Sequence, residues 1–390
     1  MAYTETEYKG WFSRLGESFG GIITGIVLII AATWLLWWNE GRTFRTAGAI
    51  GEAELVTQDV SDISRIDPAL EGKLIHAVGL ADTQEILRDT LFGVSARAVM
   101  LEREAEYYQY EEHSHTETRK KLGGGEEKIT TYTYSPAWTS SPVDSNAFKD
   151  PEYRDRNTTI TTIEDTTTWA QNVTFGAYTL PDFLKHSIGG AVSVNVESVD
   201  VKALSGMISA PWGYSASDLI HAQGSTVYIG VNPGNPQIGD VRITFKQTPP
   251  ATVSIIAQVI RNTFEPFTAS NGYKFSKLSM GTHGSAAMFE GARSSNNFMA
   301  WALRIVGVLL VAAGLSTILR PLSVIADVIP ILGTIVGGAS GFVAFLLGLA
   351  WSLVVIAVAW VRFRPLIAGG LIAAAVVLVA LSYMKGRKSA

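Results

Sequence analysis

Residues 300–384 read AWALRIVGVLLVAAGLSTILRPLSVIADVIPILGTIVGGASGFVAFLLGLAWSLVVIAVAWVRFRPLIAGGLIAAAVVLVALSYM. Three long apolar runs fill this stretch, interrupted only by Arg304, Arg320-Pro321, Asp327 and Arg362-Phe363-Arg364-Pro365. The hydrocarbon core of a bilayer is about 30 Å thick and a helix rises about 1.5 Å per residue, so an uncharged run of about 18 residues can cross it. Residues 299–319 are then one span, ended by Arg320-Pro321, with Arg304 near enough to the interface to snorkel. Val328 to Val361 carries no charge and as a straight helix would reach about 51 Å, too long for a single crossing. Pro330 and the glycines at 333, 337, 338 and 341 are expected to divide it into an interfacial or re-entrant piece at 322–335 and a span at 338–361. Residues 362–365 are a very tight turn, which makes the run at 365–384 an antiparallel neighbour. A basic tail follows at 385–390.

One further apolar run, 21–38, stands alone near the N-terminus. It ends in Trp34, Trp37 and Trp38, the aromatic belt of a headgroup boundary, and Arg42 marks the exit to water. Residues 1–20 mix aromatics with Lys9, Arg14 and Glu17 and read as a juxtamembrane amphipathic segment on the membrane surface. The only small-x-small cleavage pattern, Ala47-Gly48-Ala49, lies well past the apolar run, so an uncleaved anchor is expected. Gly16, Gly20, Gly21 and Gly25 include two small-xxx-small spacings, and Gly333, Gly337 and Gly341 recur every fourth residue. Such small-residue faces let helices approach closely in lipid, where no hydrophobic force drives them together. They are the helix-packing candidates, and Trp34, Trp37, Trp38, Arg42, Arg304 and Arg364 are the candidate interface anchors.

Residues 39–298 are polar and strand-like. Alternation over 99–120, Gly123-Gly124-Gly125 and renewed alternation over 129–134 predict one long hairpin at about 98–139. Further short β-rich runs at 71–80, 192–201, 226–231, 241–246, 253–260 and 273–278, with few helices between, predict an α+β domain. A helical pattern returns from Ser285 and is expected to join the next span directly. The fold class is therefore an α+β membrane protein. Four transmembrane helices, one N-terminal and three C-terminal, flank a large β-rich extracytoplasmic or lumenal domain.

The 390 residues include no cysteine, which excludes disulfides and thiolate chemistry. A net charge of -4 gives no electrostatic ground for a nucleic-acid partner. Glu111, His113, His115 and Glu117 share one face of a strand by period-two alternation and read as a solvated edge rather than a metal site. No Gly-x-Ser-x-Gly elbow or phosphate loop is present. No catalytic, metal or cofactor residues are assigned, and the protein is read as a non-enzyme.

The run Trp11-Phe-Ser-Arg-Leu-Gly-Glu-Ser-Phe-Gly-Gly, the apolar span after it and Trp38-Asn39-Glu40-Gly41-Arg42 resemble the start of the transmembrane protein 43 (LUMA) family. Further matching blocks follow in order: 71–79, Tyr108-Gln109-Tyr110, Tyr132-Thr133-Tyr134 with Trp138, 239–245 and 364–366. The resemblance implies four transmembrane helices, a large lumenal or extracytoplasmic domain and no catalytic motif. In animals the family is linked to organisation of the endoplasmic reticulum and nuclear envelope, with self-association and contacts to lamins and emerin.

The expected function is a non-enzymatic multi-pass membrane scaffold that self-associates and organises membrane proteins or lipids. The alternatives are a lipid-modifying enzyme or ligand sensor at the membrane surface and, with few polar groups inside the spans, a channel or transporter. Expected partners are the lipid bilayer, further copies of the chain and other membrane proteins. Lys9 and Arg14 with the Lys385, Arg387 and Lys388 cluster put both termini in the cytoplasm by the positive-inside rule. The membrane would be the plasma or inner membrane in a microbe and the endoplasmic reticulum or nuclear envelope in a eukaryote.

Overall fold

The computed structural model describes residues 3–366, apart from 197, 198, 200 and 212, together with residue 369. Strand β1 (Tyr3–Lys9) leads into helix α1 (Trp11–Val56). The domain is built around β2 (Leu74–Asp82), β3 (Met100–Lys120), β4 (Glu126–Thr139), β5 (Thr226–Ile229), β6 (Val241–Thr248) and β7 (Ala251–Ile260). Helices α2 (Ser285–Ala326) and α3 (Pro330–Phe363) close the described chain.

Two sheets form the domain. The first runs β1-β4-β3-β6-β5 and ends on Ile220–Gln223. The second pairs β2 with β7, with shorter strands outside them, and Gln58–Val60 adds to β2 in parallel. Side chains alternate across a strand, so each sheet has two faces to fill. On the second sheet Ile75, Ala77, Val253 and Ile255 face the first sheet and join Ile243, Phe245 and Phe92 in the main core. Leu74 and Ile256 point the other way and pack on Ile50 and Ala53 of α1 and on Met288, Phe289 and Ala292 of α2. The domain thus seats directly on the ends of two long helices.

Those helices run far past the domain. The described chain contains three helices long and apolar enough to cross a membrane: Trp11–Val56, Ser285–Ala326 and Ile335–Phe363. The expected fourth span and the basic tail lie almost wholly outside the described residues. Small residues set the helix crossings. A Cβ on Gly25 would meet the Gly314 carbonyl oxygen at 2.6 Å, one on Gly307 would meet Leu36, and one on Gly348 would lie 2.9 Å from the Ala312 nitrogen. Only glycine permits backbones this close.

Several boundaries differ from expectation. Residues 1–20 are not one amphipathic surface segment: Tyr3–Lys9 is a strand paired along its length with β4, and Trp11 already begins α1. Period-two alternation in YTETEYK supports a strand, but its partner lies over a hundred residues away. The span beginning at 299 does not stop at Arg320-Pro321. Proline removes one donor from the helical ladder, yet α2 continues through buried Pro321 to Ala326. The piece expected at 322–335 is the end of α2, a short turn and the start of α3, with Pro330 at the first helical turn where its missing N–H is harmless.

Candidate functional site: two buried ion clusters bracketing the helix bundle

Glu40 lies inside the helix bundle, 1% exposed. An unpaired carboxylate there would be prohibitively costly. Its two oxygens accept from Arg304 Nε at 2.6 Å and Nη2 at 2.9 Å, and Oε2 also accepts from Trp360 Nε1 at 2.8 Å. One side chain from each of the three helices therefore meets at this point. Neighbouring groups extend the network. Asn39 Nδ2 donates to the Ala300 carbonyl, Arg42 donates to Asn39 and Asn296, and Asn296 Nδ2 donates to the Thr43 carbonyl. These bonds explain why α1 continues through the polar Asn39–Arg45 stretch instead of ending at Trp38: α2 supplies the partners.

The second cluster sits at the other end of the bundle. Asp327, 1% exposed, accepts from Arg14 Nη2 and from Lys120 Nζ, both at 2.6 Å. Arg14 Nη1 donates to the Gly124 carbonyl at 2.5 Å, and its Nε lies 3.0 Å from Glu126. Two cations and two carboxylates thus balance. Trp11 Nε1 donates to the Val324 carbonyl at 2.8 Å, and the Gly123 N–H donates to the Val328 carbonyl at 3.2 Å. Gly124, at φ +80°, is packed so tightly that a Cβ would lie 2.2 Å from the Trp11 ring. The cluster joins α1, the end of α2 and the tip of the β3–β4 hairpin.

Position along the helices is the decisive geometry. Arg14 and Ile50, on one continuous helix, are about 54 Å apart. The hairpin leaves the first sheet near Tyr107, where its pairing with β6 ends, and reaches the far cluster over about 40 Å. It is an arm laid alongside the bundle, fastened to it at the tip. β1 widens the arm to three strands, with Glu5 opposite Thr130 and Glu7 opposite Lys128. At the arm's base, burial and then Glu112 push the Tyr134 phenol up to about 12. At its tip, Lys121 and then Tyr8 hold Glu127 below its ordinary value.

A sequence profile of the family described as transmembrane protein 43 matches residues 107–365. The chain belongs to the transmembrane protein 43 family. It is 27% identical over 368 residues to human transmembrane protein 43, covering 92% of this chain and 88% of the relative. To the mouse protein it is 26% identical over 397 residues, covering 99% and 95%. To a homolog in Drosophila melanogaster it is 24% identical, covering 90% of each chain. No solved structure matches the chain significantly.

The candidate residues of this family member fall into groups. Gly25 makes the α1–α2 crossing and Gly21 lies near Thr317. Gly16, Gly20 and Gly341 have no neighbour where a Cβ would stand, Gly337 only approaches Ser323, and Gly333 lies in α3. Trp34 stacks on Trp38 and Trp37 meets Phe363. Arg364 lies over Trp360. Arg304 does not reach outward to snorkel; it turns into the bundle onto Glu40. Sequence reasoning missed Glu40, Asn296 and Lys120 and gave Asp327 no partner. A signal existed for Asp327, the one acidic residue between Met299 and Met384, because a carboxylate in such a run demands a cation.

Proposed function

We infer that this protein is a non-enzymatic membrane scaffold that self-associates and organises lipids or other membrane proteins around a rigidly attached domain. One observation carries the reading: α1 and α2 run unbroken from the domain core, where Ile50 and Phe289 are buried, to the far ion cluster. A domain seated this way keeps a fixed pose relative to the membrane, as organising neighbours requires. The outer faces of the bundle support it. Ile26, Ile30 and Trp34 on α1, Ile305 and Leu309 on α2, and Phe342, Leu346 and Val354 on α3 are exposed apolar side chains that want lipid or another helix. Gly341 leaves a flat strip on α3 that another helix can approach. A cytoplasmic far end of the bundle, where Lys9 and Arg14 stand, and an extracytoplasmic domain belong to the same proposal. The test is native mass in mild detergent, with Gly341→Leu beside wild type. Discrete multimers, weakened by the substitution, are expected; a strict monomer overturns self-association.

A further inference from the structure

The β1-β4-β3 arm lies at the depth of the apolar spans and has nothing in its make-up suited to lipid. Between the base and the tip it presents Glu111, Glu112, His113, His115, Glu117 and Arg119 on β3 alone. Its edges are open as well. On β3, Tyr108 bonds outward to Asp240 and Gly239, and Tyr110 bonds outward to Asn157. The same alternation aims the N–H and C=O groups of Glu112, Ser114, Thr116 and Thr118 outward, and among the described residues no strand receives them. Among the described residues the outer edge of β1 is equally unpaired. In hydrocarbon each unsatisfied backbone group costs several kcal/mol. A lone bundle ringed by lipid, with this arm inside the bilayer, is not a stable arrangement.

We propose that the arm is a copy-to-copy interface in which the open β1 edge of one chain pairs with the open β3 edge of the next. The arms then line a lipid-free interior behind a ring of helix bundles. The inference rests on the self-association proposed above and names the surface that would mediate it. The symmetry follows from the membrane. Copies inserted in one orientation are related by rotation about an axis along the bundle, and in a ring of more than two copies each contact joins two different edges. β1 and β3 are each antiparallel to β4 and so run in the same direction. Rotation about an axis along the strands preserves direction, so the new pair is parallel. The pairings set the depth: Glu7 stands opposite Lys128, which stands opposite Thr118, so Glu7 of one edge is level with Thr118 of the other.

The absence of cysteine makes the test direct. Thr6 is level with Ile129, and Ile129 with Glu117, so these two positions share a depth and a face. Within one chain they sit on strands two apart, about 9.5 Å, too far for a disulfide. Thr6→Cys and Glu117→Cys, each with its own tag, are co-expressed and oxidised mildly in native membranes. A covalent dimer carrying both tags is expected, and the double variant should give a ladder of covalent multimers. No covalent pair, with both thiols still reactive towards a small permeant maleimide, overturns the interface. If native mass still shows multimers, the scaffold reading survives that result; if it shows a monomer, both fall.

Discussion

Replacing Asp327 by asparagine keeps the shape of the far ion cluster and deletes the charge that two cations share. Asp327 and Arg14 side chains are 2% and 7% exposed, so water cannot take over the lost interaction. Removing one partner of a buried pair costs about 3–5 kcal/mol. Glu126 remains beside Arg14 Nε at 3.0 Å, which argues for the lower end, about 3 kcal/mol. The loss falls on the contact that holds the hairpin tip against α2, so it should appear first as opening of the arm. At about 1.4 kcal/mol per power of ten, opening becomes about a hundredfold more frequent. Trypsin reads this, because Arg119, Lys120 and Lys121 stand at the tip. Cleavage there should rise about a hundredfold under conditions where opening and closing are fast. Glu117→Gln, which breaks only an exposed pair with Arg119, should change it less than twofold. A change of less than threefold for Asp327→Asn would refute the idea that this cluster fastens the arm.

Arg304→Leu should lower thermal stability in detergent by about 3–5 kcal/mol, whereas the double variant with Glu40→Leu should recover much of that, because no buried charge is then left alone. Gly25→Leu should force α1 and α2 apart and lower the melting temperature, with overpacking costing about 1–3 kcal/mol or more, while Gly20→Leu, which meets open space, should leave it nearly unchanged. Acid should unfold the domain in a defined direction. Glu85 titrates below the ordinary 4.5 because the backbone N–H groups of Gln171 and Asn172 hold its charged form, and Asp82 below the ordinary 3.8 chiefly through Arg97. A depressed folded value gives stability that is complete above the unfolded value and lost as pH falls through the folded one. Melting temperature should therefore fall on acidification below about pH 5, and Glu85→Gln should flatten that limb in a scanning calorimeter.

Local chemistry was legible and long-range pairing was not. The triple glycine at 123–125 and the alternation around it marked the hairpin, since positive φ at Gly123 and Gly124 is what its turn requires. The apolar windows stood out because hydrocarbon thickness acts on composition directly. Helix length did not: α1 runs well past Trp38 because Asn39, Glu40 and Arg42 find partners on α2, more than two hundred residues on. Arg304 looked like a snorkelling arginine because nothing nearby in sequence could pair with it. The glycines at every fourth residue were visible, but which of them makes a crossing depends on the facing helix. Gly25 does so because Gly314 stands opposite; Gly20 does not.

The N-terminal strand also imposes an order of events. Residues 3–9 leave the ribosome long before the strand they pair with, whose first residue is Glu126. At synthesis rates of about 5–20 residues per second that interval is roughly ten seconds. Through it, Tyr3–Lys9 has no sheet to join, and Arg14 waits still longer for Asp327. The first helix can therefore be handed to the membrane before its own end is fastened. Fixing that end, and with it the whole bundle, is the work of a chain already made as far as Asp327, so any segment fused ahead of Tyr3 would delay or block this late step of assembly rather than the first.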